Sequence, residues 1–191
     1  MNVLIACEYS GTVRRAFRTR GHDAWSCDLL PADDHDPHHF QGDIREFINS
    51  RKWDLMIAHP PCTHLAVSGA AWFKNKVKEQ AEALDFVRLL LDSDIPRICL
   101  ENPVSVISTR IRKPDQIVQP YQFGHMEQKK TCLWLKGLPV LTDTNNVREA
   151  MMLLPKNQRE RIHYLPPSAD RWKLRSKTFA GIAEAMATQW G

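Results

Sequence analysis

No apolar run in this chain is long enough to cross a bilayer, and no basic start followed by an apolar leader opens it. Neither a membrane span nor a secretory signal is therefore expected. No Cys-x-x-Cys pair exists, which disfavours a zinc knuckle. Gly-x-Gly-x-x-Gly and Gly-x-x-x-x-Gly-Lys-[Ser/Thr] are missing too, so a cradle for pyrophosphate or triphosphate is not expected. Internal repeats and low-complexity tracts are absent. The five cysteines (7, 27, 62, 99 and 132) are odd in number, widely spaced and mostly set in apolar runs. That pattern points to reduced thiols in a cytoplasmic protein rather than a disulfide framework. The 191 residues fit a single domain, 1–191, with a sizeable core. A net charge of +4 leans only mildly towards a polyanionic partner.

What is there begins with apolar runs separated by helical patterns. Val3 to Cys7 reads as a buried strand, Tyr9-Ser10-Gly11 as a turn, and Thr12 to Arg20 as a helix stopped by Gly21. Val13, Ala16 and Phe17 would face inward, and Arg14, Arg15, Arg18 and Arg20 would form the exposed face. Ala24 to Cys27 is a second strand ending at Asp28, and a short helix is expected around 45–49. Asp54 to Ala58 is another strand, Lys78 to Asp92 a helix, and Arg97 to Leu100 a strand that ends at Glu101. This alternation predicts an α/β fold with a doubly wound, mostly parallel Rossmann-like sheet. Tyr121 to Gly124 and Thr131 to Leu135 look like antiparallel additions in the C-terminal part. Residues 143–175 are polar, without a second core. A last helix runs from Thr178, its expected N-cap, to Gln189, with Phe179, Ile182, Ala183 and Met186 inward.

The chemistry gathers at the predicted strand ends. Pro60-Pro61-Cys62 follows the run Leu55 to Ala58, and two prolines end a strand, presenting Cys62 at the carboxyl edge of the sheet. In open α/β sheets ligands bind at that edge. Glu101 would face the same edge, and a thiolate with a carboxylic acid suits addition to an electron-poor ring. His59, His64 or a lysine would lower the Cys62 pKa. The alternatives are an inert cysteine and a solvated strand end. Near the N-terminus, Glu8-Tyr9-Ser10-Gly11 followed by Asp28 has the logic of a ribose site, and without a phosphate cradle an adenosine cofactor such as S-adenosylmethionine fits best. An ordinary strand–helix turn is the alternative. Asp43 would accept a hydrogen bond from an adenine amino group or else N-cap the next helix.

Taken together these segments resemble, in order along most of the chain, the cytosine-C5 DNA methyltransferase family. Tyr9-Ser10-Gly11 is similar to its cofactor turn, Trp25 to Asp28 to its ribose-acid strand, and Gly42-Asp43-Ile44 to its adenine segment. Pro60-Pro61-Cys62 with Ser68-Gly69 resembles the catalytic loop, and Leu100-Glu101-Asn102 the Glu-Asn motif. Gly124 to Leu135 occupies the Gln-x-Arg-x-Arg segment, and 175–189 the final cofactor-contacting motif. The resemblance implies methyl transfer from S-adenosylmethionine to C5 of cytosine in DNA. Cys62 would add to C6, Glu101 would act through N3, and Lys129 would take the place of a family arginine. The implied cofactor-binding residues are Glu8, Tyr9, Ser10, Gly11, Asp28, Asp43, Pro60 and Thr178.

The departures are Val13 for a second turn glycine, His59 before Pro-Pro, Thr63 after the cysteine, Pro103 after Glu-Asn, and Thr131 near the second arginine. Residues 139–175 leave room for a small insertion only, where the family carries a target-recognition domain. Relaxed specificity, or a protein partner that supplies it, is therefore implied. DNA contact is expected through Arg148, Lys156, Arg159, Arg161, Arg171, Lys173, Arg175 and Lys177, with Tyr164 and Trp172 interleaved, and through Lys74, Lys76 and Lys78. Solvated surface is the duller account of both groups. The Asp/His cluster at 33–39 matches no metal spacing, and no metal site is expected. A methyltransferase acting on a free pyrimidine nucleotide, or a catalytically silent module binding S-adenosylmethionine or nucleic acid, are the other readings.

Overall fold

Val3–Ala6, Leu55–Ala58 and Ile98–Leu100 are apolar on both faces, which only a sheet covered by helices on both sides can accommodate. The computed structural model, which describes residues 1–191 apart from the side chains of Ala71 and Trp72, has that layering. The chain runs β1 (Asn2–Ala6), α1 (Thr12–Thr19), β2 (Asp23–Asp28), β3 (His39–Gln41), α2 (Ile44–Phe47) and β4 (Leu55–Ala58). There follow a 3-10 segment (Val67–Asn75), α3 (Val77–Leu91), β5 (Ile98–Pro103), α4 (Ile107–Arg110) and β6 (Gln116–Val118). A second 3-10 turn (Pro120–Gln122), β7 (Thr131–Lys136) and the short helices α5 (Arg148–Met152), α6 (Lys156–Arg159), α7 (Arg161–Tyr164) and α8 (Arg171–Ser176) precede α9 (Ala180–Gln189).

The sheet has seven strands in the order β3-β2-β1-β4-β5-β7-β6. The first five are parallel, and β7 runs antiparallel between β5 and β6. The chain is thus an α/β protein with a mostly parallel sheet. Strand alternation sends Val3, Ile5, Leu55 and Ile57 to one core with α1 and α9, and Leu4, Ala6, Met56 and Ala58 to another with α2 and α3. Each fully buried Leu or Ile contributes about 1.5–3 kcal/mol. No described helix is long and apolar enough to cross a membrane.

Several local expectations are corrected. Arg14 is fully buried rather than on the exposed face of α1, because Asp34 and Ser26 lie above it and take its guanidinium N–H groups. Tyr121 to Gly124 forms no strand. Pro120 starts a 3-10 turn there, with Gln119 and Gln122 exchanging capping hydrogen bonds, and the sheet gains β6 and the three-residue β3 instead. Glu101 lies inside β5, paired with Leu133 of β7, not past its end. Thr178 does not cap the last helix. The N-cap is Phe179, and His125 Nε2, at 2.9 Å, accepts the first-turn N–H of Gly181 from across the fold. Residues 143–175, expected to be polar, carry four short helices that bury Met151 and Ile162.

Candidate functional site

In this sheet the chain leaves β1 towards β2 on one side and returns through β4 on the other, so the carboxyl ends of β1 and β4 mark a switch point. A cavity of about 750 Å³ opens there. Its walls come from Cys7 to Ser10 after β1, His59 to Thr63 after β4, Glu101 to Val104 on and after β5, Gln128 to Lys130 before β7, and Arg175 to Thr178 after α8.

The turn after β1 is built to redirect the chain steeply. Cys7 has φ 61°, a left-handed conformation costing a non-glycine residue about 1–2 kcal/mol. Gly11, with φ 66°, precedes α1, and a Cβ there would lie 2.6 Å from both Arg14 and Asp34. The buried Glu8 carboxylate accepts the backbone N–H groups of Val13 and Arg14 at 2.7 and 3.2 Å. An internal carboxylate thus occupies the helix terminus a phosphate would otherwise seek. Ser10 donates to Glu8 at 3.3 Å. Tyr9 reaches the other way: its hydroxyl donates to the Lys173 carbonyl at 3.2 Å and meets Ser176 Oγ at 3.1 Å, and Trp172 packs against its ring at 5.9 Å. Helix α8 therefore lies across the cavity mouth.

The Cys62 loop is pinned to the exit of β5. Buried Asn102 donates to the Pro60 carbonyl at 2.9 Å, Val67 N–H to Val104 O at 3.1 Å, and Val106 N–H to Leu65 O at 2.9 Å. Cys62 itself is exposed to the cavity, and its carbonyl closes a turn with the N–H groups of Leu65 and Ala66. Its thiol pKa is raised, contrary to the expected lowering. The protein walls desolvate the thiolate and Glu101 repels it, outweighing the pull of Lys129 and Arg175. Cys62 thus rests as a thiol.

Glu101 is ionised at neutral pH. Burial alone would raise its carboxyl, but the His59 hydrogen bond and charge, with Lys129, bring it below its ordinary value. His59 Nδ1 lies 2.9 Å from Glu101 Oε2, with both side chains about nine-tenths buried. Lys129 Nζ donates to the Arg175 carbonyl at 2.9 Å and sits 6.0 Å from the centre of the Phe179 ring.

The structure therefore brings Glu8, Tyr9, Ser10, Pro60, Cys62, Glu101, Lys129 and Thr178 to one cavity. Gly11, Asp28 and Asp43 do not line it. Asp28 stands beside it, close enough to raise the Cys7 thiol after burial has done so, while burial raises its own carboxyl. Asp43 N-caps α2 through the Arg45 N–H at 2.9 Å and also meets the Arg45 guanidinium. The brace from Asn102 and the cover from Trp172 are features the sequence pattern does not reveal, whereas Arg175, expected to contact DNA and to open the last cofactor-contacting motif, lines the cavity. The 33–39 loop is used structurally: Asp34 pairs with Arg14 and Arg15, and Asp36 with His38. No group suited to a metal ion occurs among the described residues. Of the basic residues, Lys78, Lys156, Arg161, Lys173 and Lys177 form ion pairs with Glu82, Glu160, Glu127, Asp170 and Asp33.

No protein-family model matches this chain, and no curated protein matches it significantly.

Proposed function

We propose that this protein transfers a methyl group from S-adenosylmethionine to C5 of cytosine in DNA through a covalent Cys62 adduct. The observation that carries the reading is the meeting of Cys62, Glu101 and Lys129 in one cavity at the carboxyl edge of a mostly parallel sheet. They come from three separate segments, and their chemistry matches what addition to a pyrimidine requires. Cys62 bonds to C6 and turns C5 into a carbon nucleophile, while Glu101 holds N3 and Lys129 balances charge beside it. After methyl transfer, loss of the C5 proton and expulsion of Cys62 restore the ring. S-adenosylmethionine, when bound, supplies the electrophilic methyl group.

The donor set suits an adenosine cofactor without phosphates. Tyr9 and Ser10 lie at the switch point, Pro60 and Thr178 line the same cavity, Asp28 borders it, and Glu8 already fills the α1 terminus. Gly11 serves the turn. Asp43 accepts one hydrogen bond on each oxygen from Arg45 and has lone pairs left for an adenine amino N–H. Arg148, Arg159, Arg171 and Arg175, with Lys74 and Lys76, form the phosphate-contacting face, and a duplex target base is flipped into the cavity.

The internal pairing of Lys156, Arg161, Lys173 and Lys177 favours a second reading, in which the substrate is a free pyrimidine nucleotide. Salt separates the two, since only a DNA binder loses affinity steeply as salt rises. The primary test incubates the protein with methyl-labelled S-adenosylmethionine and DNA containing 5-fluorocytosine. A denaturation-resistant complex should form with the wild type and not with Cys62→Ala. Equal labelling of the two refutes the mechanism.

A further inference from the structure

We infer that residues 166–178 form a lid over the cavity, latched shut by the Tyr9 hydroxyl and the Lys177–Asp33 ion pair, which swings out for ligands to enter. The inference rests on the methyltransferase reading only for the identity of the ligand.

From Pro166 to Thr178 no residue is buried, and α8 within it has no core face. Both ends, by contrast, are anchored. On one side Ile162 is buried and Arg161 pairs with Glu127 at 2.9 Å. On the other, Phe179 packs edge-on against His125 at 5.1 Å where α9 begins. Pro166 and Pro167 lead into the segment as a stiff arm with no N–H to give, and Lys177 leaves α8 in extended backbone with ψ 135°. Among the described residues no main-chain hydrogen bond joins 166–178 to the rest of the chain.

Across the cavity the segment is held by side chains alone. The Tyr9 hydroxyl meets the Lys173 carbonyl at 3.2 Å and Ser176 Oγ at 3.1 Å, and its ring carries Trp172 at 5.9 Å. Lys129 Nζ donates to the Arg175 carbonyl at 2.9 Å, and Lys177 Nζ lies 2.7 Å from Asp33 Oδ2. A short helix without a buried face has little of its own to keep it down, so these contacts oppose its opening. Trp172, Arg175, Ser176, Lys177 and Thr178 all line the cavity, so beneath the segment lies the cavity and not core. A ligand that fills that space supplies the packing α8 lacks, which is the logic of a lid. Closure also sets Lys129, because the carbonyl that holds its ammonium belongs to the lid.

The test is limited trypsin digestion of the full chain under native conditions, read by mass spectrometry. Cleavage is followed after Lys173 in the lid and after Lys156 in α6, outside it. Cutting of a segment that opens and recloses rapidly follows its open population. Tyr9→Phe removes the latch hydroxyl and keeps the ring, and should speed cleavage after Lys173 about tenfold. Asp33→Lys turns the ion pair into a repulsion and should speed it about fivefold. Combining Asp33→Lys with Lys177→Glu restores opposite charges and should return the wild-type rate. Cleavage after Lys156 should stay constant throughout. S-adenosylhomocysteine, the probe for the cofactor end of the cavity, should slow cleavage after Lys173 in the wild type and in each variant. The lid is overturned if neither single variant changes that cleavage, if the charge swap fails to restore it, or if cleavage after Lys156 accelerates in step. If the variants behave as expected and the probe gives no protection, the lid stands and the cofactor reading fails.

Discussion

Replacing Arg14 by Met tests how the turn between β1 and α1 is held. Arg14 is fully buried, donating to Ser26 Oγ at 2.6 Å and to both oxygens of Asp34 at 2.5 and 2.6 Å. Asp34 is only a quarter exposed and also pairs with Arg15, whose guanidinium reaches the Ser10 carbonyl at 3.1 Å. Burial pushes the Asp34 carboxyl up, but the Arg14 and Arg15 contacts overcome this and hold it at about 2, against an ordinary 3.8. That gap corresponds to about 2 kcal/mol of folding stability. The folded-state pKa is depressed, so this stability is present above the ordinary value and is lost as pH falls through about 2. Breaking a fully buried ion pair costs about 3–5 kcal/mol. Here Asp34 keeps Arg15 and some water, so Arg14→Met should cost about 2–3 kcal/mol near pH 7. Urea unfolding from neutral pH down to the onset of acid unfolding should show a shallower acid limb in the variant, because the Arg14 share of the Asp34 contribution is gone while Asp23, Asp36, Glu101 and Asp115, whose carboxyls are also held low, keep theirs. Adding Asp34→Asn should cost little more, since the pair acts as a unit. A loss under about 0.5 kcal/mol, the size of an exposed pair, or an unchanged acid limb would refute the buried-pair account.

Two further outcomes follow from the site and its cover. Because Lys129 lowers the raised Cys62 pKa, Lys129→Ala should slow iodoacetamide alkylation near neutral pH, and equal rates in the two proteins would remove Lys129 from the thiol's surroundings. Gly181→Ala places a methyl group against the Phe123 carbonyl, a backbone atom that cannot swing aside. The substitution should lower stability by about 1–3 kcal/mol in thermal or urea unfolding despite alanine's better helix propensity, and a stabilised variant would show that α9 shifts freely.

Much of the frame was legible because its signals are local. Short apolar runs bounded by turn residues read as strands buried on both faces, and β1, β4 and β5 lie where those runs are, with β2 on the more mixed Ala24 to Cys27. Helices α1, α3 and α9 follow their apolar spacing. Signals weakened where elements were short. The segments His39–Gln41 and Gln116–Val118 are too brief for alternation to register, and each became a strand because a neighbouring strand offered its edge. Tyr121 to Gly124 has strand-like residues, but Pro120 and the Gln119–Gln122 exchange favour a turn.

Residue type and the prolines by themselves place Cys62 just past a strand end. A Pro-Pro pair ends a ladder wherever it falls, and strand ends on one edge share a pocket. Only the tertiary structure decided what charge each group carries there. Arg14 is an exposed helix residue by pattern and a buried ion-pair partner in fact, because Asp34 folds over it from a distant loop. The same holds at the site. His59 stood out in the sequence as a neighbour of Cys62, expected to lower its pKa. The register of β4 against β5 instead aims it at Glu101, which keeps the carboxylate ionised and leaves the cysteine a thiol. Protonation depends on distances of a few ångströms between groups far apart along the chain, and only folding sets those distances.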